Sequence, residues 1–120
     1  MSTVFSSPRH GLFVSQNADG SYAWSGQYNG VSIVRVIPLD GVSRCVLLLD
    51  PDASQRQAFE NLLCIDRGGG AVWTARLHTS PDVFLGIVPT DEGIWANTWS
   101  GWRVLLDPNT GAELRGSFVK

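Results

Sequence analysis

Thirteen glycines and six prolines interrupt this 120-residue chain at short intervals, and the segments between them are rich in Val, Ile, Leu, Trp and Tyr. Short apolar runs bounded by turn residues are typical of β-strands joined by tight turns. A chain of this length buries one core without disulfides or metal ions. We therefore expect a single all-β domain over residues 1–120. The expected fold is an antiparallel meander of short hairpins that forms a compact sandwich or a partial propeller-like domain.

Several turns of this meander can be placed from their residues. The strongest signal is Asn29-Gly30, because both central residues of a type I′ turn need positive φ. It predicts a hairpin with three cross-strand pairs: Tyr28 with Val31, Gly26 with Ile33, and Trp24 with Arg35. Further turns are expected at Asp19-Gly20, at Asp40-Gly41 and in "DPNTG" (residues 107–111).

One segment, "DPDASQRQAFENLL" (residues 50–63), has the features of a helix start, with Asp50 or Asp52 as the cap. Its apolar positions are sparse before Phe59. We therefore expect at most one short helix, near residues 53–60.

The segment "GIWANTWSGW" (residues 93–102) contains three of the five tryptophans. If Ser100-Gly101 is a two-residue turn, Trp95, Asn97 and Trp99 lie on one face of the hairpin, and Arg103 lies on the other. The tryptophan face is then expected to be buried. Because Arg103 lies on the opposite face, a binding platform of Trp95, Asn97, Trp99 and Arg103 is disfavoured. The predicted core residues are Trp24, Trp73, Trp95, Trp99, Trp102, Val104 and Leu106.

Two segments repeat the same pattern, a strand that ends in aspartate, then a glycine, then an apolar residue. They are "NLLCIDRGGGAVWTARL", with Asp66, Gly70 and Trp73, and "GWRVLLDPNTGAELRGSF", with Asp107, Gly111 and Leu114. A looser copy surrounds Asp19-Gly20. The first segment resembles the blade repeats of pyrroloquinoline-quinone-type β-propellers. The resemblance implies hairpins like those of a propeller blade, but the chain is too short for the four blades of a closed ring. No residues match a quinone pocket.

The composition excludes several classes of function. A net charge of −2 with scattered arginines gives no basic patch for nucleic acid. The start of the chain lacks the basic and apolar regions of a signal peptide, and its longest apolar run is too short to span a membrane. We therefore expect a cytoplasmic protein with no membrane partner. Cys45 and Cys64 lie in apolar runs and are expected to be buried free thiols.

No motif for catalysis or metal binding is present. The histidines and cysteines have no zinc spacing, so no metal is expected. The calcium-loop pattern that begins at Asp50 fails, because Gln55 and Asn61 stand where glycine and glutamate are needed. "LHTSPD" contains His78, Ser80 and Asp82, but residues of one loop do not easily form a catalytic relay. "RGGG" (residues 67–70) lacks a P-loop lysine. We expect no enzyme activity and no cofactor.

This pattern favours a protein that works by binding another protein. Turn-borne carboxylates suit a basic partner, and the size and composition are similar in type to bacterial immunity proteins, which occlude the active site of a toxin. The candidate partner-binding residues are Asp50, Asp52, Glu60, Asp82, Asp91 and Glu92. Two alternatives remain: a small-ligand or carbohydrate module that uses the tryptophan cluster, and a self-assembling propeller-like module.

Overall fold

The computed structural model describes residues 3–39 and 43–119, so the turn predicted at Asp40-Gly41 lies outside the described residues. The all-β prediction is confirmed, since only two three-residue 3-10 turns, Pro8–His10 and Pro51–Ala53, accompany the strands of this part of the chain. No helix in these residues is long and apolar enough to cross a membrane. The strands are β1 Thr3–Ser7, β2 Leu12–Gln16, β3 Tyr22–Ser25, β4 Gln27–Tyr28, β5 Val31–Leu39, β6 Arg44–Leu49, β7 Ala58–Phe59, β8 Leu62–Asp66, β9 Ala71–Thr74, β10 Asp82–Thr90, β11 Gly93–Thr98, β12 Trp102–Leu106 and β13 Glu113–Phe118.

The strands form three sheets. The first has the order β1-β2-β3, the second β4-β5-β6-β8-β9, and the third β13-β12-β11-β10-β7. Neighbouring strands run antiparallel, apart from β7 and β10, which pair in parallel. Because consecutive strands pair with one another almost throughout, most of the fold is built from hairpins.

The second sheet lies between the other two. On β6, Val46 and Leu48 belong to an apolar cluster shared with the third sheet, while Cys45 and Leu47 belong to one shared with the first sheet. Successive side chains of a strand point to opposite faces, so β6 is buried on both. This accounts for the uninterrupted apolar sequence "CVLLL". Both cysteines are buried, and neither is part of a disulfide. Burial raises the pKa of Cys45 to about 12.

The Asn29-Gly30 turn forms as predicted, with φ of 49° and 79° at its two residues and Tyr28 paired with Val31. The outer two pairs are wrong. Gly26 has φ 105°, and a Cβ there would lie 2.3 Å from the carbonyl oxygen of Gly11, so only glycine fits where the chain passes from β3 of the first sheet to β4 of the second. Trp24 consequently lies in the first sheet, where it pairs with Val14 instead of Arg35.

The helix near residues 53–60 is not found. A single 3-10 turn covers Pro51–Ala53, and the Asp50 side chain caps it by accepting a hydrogen bond from the Asp52 amide at 3.0 Å. Ser54 is already extended, and Ala58–Phe59 is a strand paired with β10. The segment has no apolar face that a helix could bury, so pairing with β10 determines its conformation.

The hairpin between β11 and β12 has a register one residue away from the predicted one. Asn97 pairs with Arg103 and Ala96 with Val104, so the loop contains Trp99, Ser100 and Gly101. Gly101 has φ 112°, which suits the last position of a three-residue loop. The Thr98 side chain closes the loop by accepting a hydrogen bond from the Trp102 amide at 3.1 Å. A shift of one residue reverses the faces of a strand, so Trp95, Asn97 and Arg103 now share the outer face.

The predicted core residues therefore divide into three groups. Trp73, Val104 and Leu106 are buried. Trp24, Trp95 and Trp102 are half-buried. Trp99 is 58% exposed, so its assignment to the core is wrong. The reason is its position at the tip of the loop.

The two repeat segments fold as hairpins, β8–β9 and β12–β13. In both, the aspartate side chain accepts a loop amide: Asp66 from Gly70 at 3.0 Å, and Asp107 from Asn109 at 2.8 Å. Trp73 of the first hairpin donates its indole N–H to the carbonyl of Pro108 in the second, at 2.9 Å. The shared pattern thus encodes hairpin loops, and strand β9 of the first hairpin contacts the loop of the second across two sheets.

Candidate functional site

The loop between β11 and β12 presents Trp99 to solvent at one end of the third sheet. Its backbone is held at both ends. The Trp99 amide donates to the carbonyl of Val83 at 2.9 Å, and the Gly101 amide donates to that of Thr98 at 3.2 Å. An exposed indole is thus carried by a loop with fixed geometry.

The Asp82 side chain holds this loop in place through hydrogen bonds to Ser100. The Asp82 side chain is buried, with 4% exposure. One carboxylate oxygen accepts the amides of Ser100 and Val83, each at 2.9 Å. The other accepts the hydroxyls of Ser100 at 2.6 Å and Thr79 at 2.9 Å. Burial raises the pKa of Asp82, but these hydrogen bonds outweigh it and hold the pKa below its ordinary value. The carboxylate is therefore charged and structural, and its lone pairs are already used within the chain.

A groove of about 290 Å³ lies beside Trp99. Three segments build it: residues 51–59, residues 81–83 at the start of β10, and the loop that carries Trp99. The parallel pairing of β7 with β10 brings them together. The lining is mixed, with apolar surface from Pro51, Phe59, Pro81, Val83 and Trp99, and polar groups from Asp52, Ser54, Arg56, Gln57 and Asp82.

The six candidate carboxylates do not form one surface. Asp52 and Asp82 line the groove, and Asp50 caps the adjacent 3-10 turn. Asp91 and Glu92 lie in the turn after β10. Since β10 has nine residues and begins at Asp82, this turn is at the opposite end of the sheet, roughly 30 Å from Asp82. Two of the six have partners elsewhere. Glu60 accepts the amide of Leu77 at 3.1 Å, and Glu92 forms an ion pair with Arg115.

The outer face of the third sheet holds the residues that the predicted register had separated. The Arg103 guanidinium lies 4.6 Å from the centre of the Trp95 ring, and that of Arg115 lies 5.6 Å from it. Both distances allow cation–π attraction. Asn97 is exposed beside Arg103. This corrects the expectation that Arg103 lies opposite the tryptophans, although the arginines themselves cover the Trp95 ring.

His78, Ser80 and Asp82 do not assemble into a relay. His78 stacks on Trp102 with ring centres 4.1 Å apart, and its Nε2 lies 2.5 Å from the carboxylate of Glu113. Asp82 instead binds Thr79 and Ser100. Within residues 3–39 and 43–119, no group of three or more His, Cys, Asp or Glu side chains could hold a metal ion.

Comparison with known proteins assigns the chain to a family. Residues 30–118 match a family model described as a domain of unknown function, DUF7957. The chain belongs to this family. No curated protein and no solved structure matches it. The DUF7957 region begins at the Gly30 turn and ends with β13, so it contains the third sheet, the second sheet apart from β4, the Trp99 loop and the groove, while the first sheet and β4 precede it.

One residue of the DUF7957 region that joins the sheets was not singled out from the sequence. Asn61 is fully buried. Its amide donates to the carbonyls of Leu49 and Phe84, and its oxygen accepts the Phe84 amide, all at 2.9 Å. The available signal in the sequence was its position: a polar residue that directly precedes the apolar run "LLCI", with no turn residue between them.

Proposed function

We propose that this DUF7957 protein is a non-enzymatic protein-binding module whose partner is anchored by Trp99. The observation that carries the proposal is an indole 58% exposed on a loop fixed by a buried carboxylate. Tryptophan is one of the residue types enriched among the side chains that dominate binding energy at protein interfaces. A loop that is already ordered loses little entropy on binding, which favours affinity.

The groove supports the same proposal. Apolar surface from Phe59 and two prolines lies next to the indole, and polar side chains surround it. An apolar centre with a polar rim is the usual composition of an interface. The Asp82 carboxylate, one of the predicted partner-binding residues, takes part indirectly, because it positions the loop.

Replacing Trp99 with alanine is expected to abolish partner capture without unfolding the protein. Loss of a dominant anchor costs about 2 kcal/mol or more, roughly a thirtyfold loss of affinity, while an exposed loop substitution changes stability by about 0.5 kcal/mol at most. The measurement is co-purification from the native host with quantitative mass spectrometry. Phe13→Ala is the matched control, because Phe13 is also an exposed aromatic (46%) but lies on the first sheet. Equal recovery of the partner with both variants would overturn the proposal.

We infer further that the partner is basic, as a toxin neutralised by an immunity protein would be. Asp52 is exposed at the groove and Asp50 lies beside it, which supports attraction of a basic surface. Electrostatic steering makes the association rate fall as salt is added. We expect the association rate with the captured partner to fall as salt is added, and to fall less steeply for Asp52→Asn. An association rate independent of salt would contradict a basic partner, but not the role of Trp99.

A carbohydrate or other small ligand is the second candidate, favoured by the hydroxyl, amide and guanidinium groups of Ser54, Gln57 and Arg56 beside the indole. A sugar that stacks on Trp99 would change the tryptophan fluorescence of the wild-type protein and leave that of Trp99→Ala unchanged. Capture of no protein together with such a response would favour this candidate.

A further inference from the structure

The outer edge of the third sheet is formed by β13, and its features differ from those of the other edges. It has six residues, all exposed, and is the longest edge strand of residues 3–39 and 43–119. Three apolar side chains at or next to it are about half exposed or more: Leu114 at 51%, Phe118 at 54% and Val119 at 64%.

Protective features are present on two of the other open edges, those at β4 and β7, and the edge strands β1, β3 and β9 are shorter than β13. β4 and β7 have two residues each, and the parts of β5 and β10 that extend beyond them contain Pro38 and Pro89. Proline and short strands are the usual means of preventing edge-to-edge pairing. β13 contains no proline, and its charged Arg115 is paired with Glu92.

The hydrogen-bonding groups of β13 alternate between β12 and the free edge. The Val119 amide donates to the carbonyl of Gly101 at 2.9 Å, and Ser117 and Arg115 lie opposite Arg103 and Leu105 in the same register. In an antiparallel ladder every second residue bonds to the same neighbour. The amides and carbonyls of Gly116 and Phe118 therefore point away from β12.

We propose that β13 pairs with β13 of a second copy of the chain about a two-fold axis at Gly116. This register places outward-pointing groups opposite each other and sets Phe118 of one copy across from Leu114 of the other. Such apolar cross-strand pairs stabilise antiparallel strands. An isologous contact of this kind joins the third sheets of the two copies into one continuous sheet, with a Trp99 loop on each half.

The dimer is expected to be weak. Leu114 is the extra residue of a bulge in the pairing with β12, which limits the regular ladder to the residues after it. One short strand pair buries less than the roughly 1,200 Å² of standard interfaces. We therefore expect a monomer–dimer equilibrium at micromolar concentrations and not a permanent dimer.

Sedimentation velocity over a dilution series tests the proposal with the whole chain. The wild-type protein should show a monomer–dimer equilibrium. Gly116→Pro removes an amide that faces the free edge, and the nearest atom to a new Cβ, 2.7 Å away, is a side-chain oxygen of Glu113 and not a backbone atom. Leu114→Lys adds a charge to the edge. Each should weaken dimerisation at least about tenfold.

Val88→Lys is the matched control, because Val88 is 58% exposed on the outer face of the same sheet but away from β13. It should leave the equilibrium unchanged. A wild-type chain that stays monomeric at high concentration would overturn the proposal, as would a dimer that both edge variants leave intact. If Gly116→Pro does not fold, as judged by circular dichroism, Leu114→Lys decides alone. The result is independent of Trp99, because that residue lies in the loop and not on β13.

Discussion

Replacing Asn61 with alanine is expected to lower the free energy of unfolding by about 3–5 kcal/mol, among the largest effects of any single substitution in this chain. Asn61 bonds to the carbonyl of Leu49 at the end of β6 and to both backbone groups of Phe84 in β10. It thus ties the second sheet to the third at a site without solvent. Alanine leaves two carbonyls and one amide without this partner, each with its own desolvation cost.

Asn61→Asp separates lost hydrogen bonding from lost volume. An ionised aspartate still accepts the Phe84 amide, but its second oxygen faces two carbonyl oxygens and the charge is buried. We expect this variant to be at least as unstable as Asn61→Ala at pH 7. A buried carboxyl has a raised pKa, and its protonated form can donate one hydrogen bond, so acid should reduce the difference from wild type. No such dependence is expected for Asn61→Ala.

Urea unfolding followed by tryptophan fluorescence measures both variants. Asn97→Ala is the matched control: Asn97 is exposed on β11, and its replacement should change stability by about 0.5 kcal/mol at most. Equal effects of Asn61→Ala and Asn97→Ala would show that Asn61 does not join the sheets.

The sequence predicted the parts of this fold that depend on local chemistry. Asn29-Gly30 forms its turn because asparagine and glycine both accept positive φ, and this preference does not depend on the rest of the fold. The loop after Thr98 shows where local reasoning fails. "WSG" suits both a two-residue and a three-residue loop, and the Thr98 hydroxyl that binds the Trp102 amide selects the longer one. The extra loop residue reverses the faces of β11 relative to β12, so Asn97 lies on the outer face while Val104 and Leu106 stay buried as predicted.

The candidate site was predictable in its members but not in its assembly. Trp99, Asp52 and Asp82 were all singled out as residues. Their convergence depends on β7 pairing in parallel with β10, a contact between two-residue stretches that leaves no periodic pattern in the sequence. The same contact explains why Asp82 became structural: the Gln57 carbonyl accepts its amide at 2.8 Å and fixes its position beneath Ser100.

Replacing Asp82 with alanine is expected to destabilise the protein by about 3 kcal/mol, because the amides of Ser100 and Val83 and two hydroxyls lose a charged acceptor. Asp82→Asn should cost less. Its oxygen can still accept both amides, and the two hydroxyls can rotate to accept from its NH₂ group. Asp91→Asn, at an exposed turn, is the control and should have little effect.

The pH dependence distinguishes the charge of Asp82 from its shape. Its pKa is lowered in the folded protein, so the unfolded chain takes up a proton first as the pH falls. The carboxylate therefore stabilises the protein fully above the unfolded pKa near 3.8 and loses this contribution as the pH falls through the folded pKa. The stability difference between wild type and Asp82→Asn should accordingly be constant near neutral pH and shrink in acid below pH 3.8. A difference that does not change with pH would mean that Asp82 acts through shape alone. If the difference does shrink in acid and the folded Asp82→Asn protein also fails to capture the partner, the charge of this carboxylate is what orders the Trp99 loop for binding.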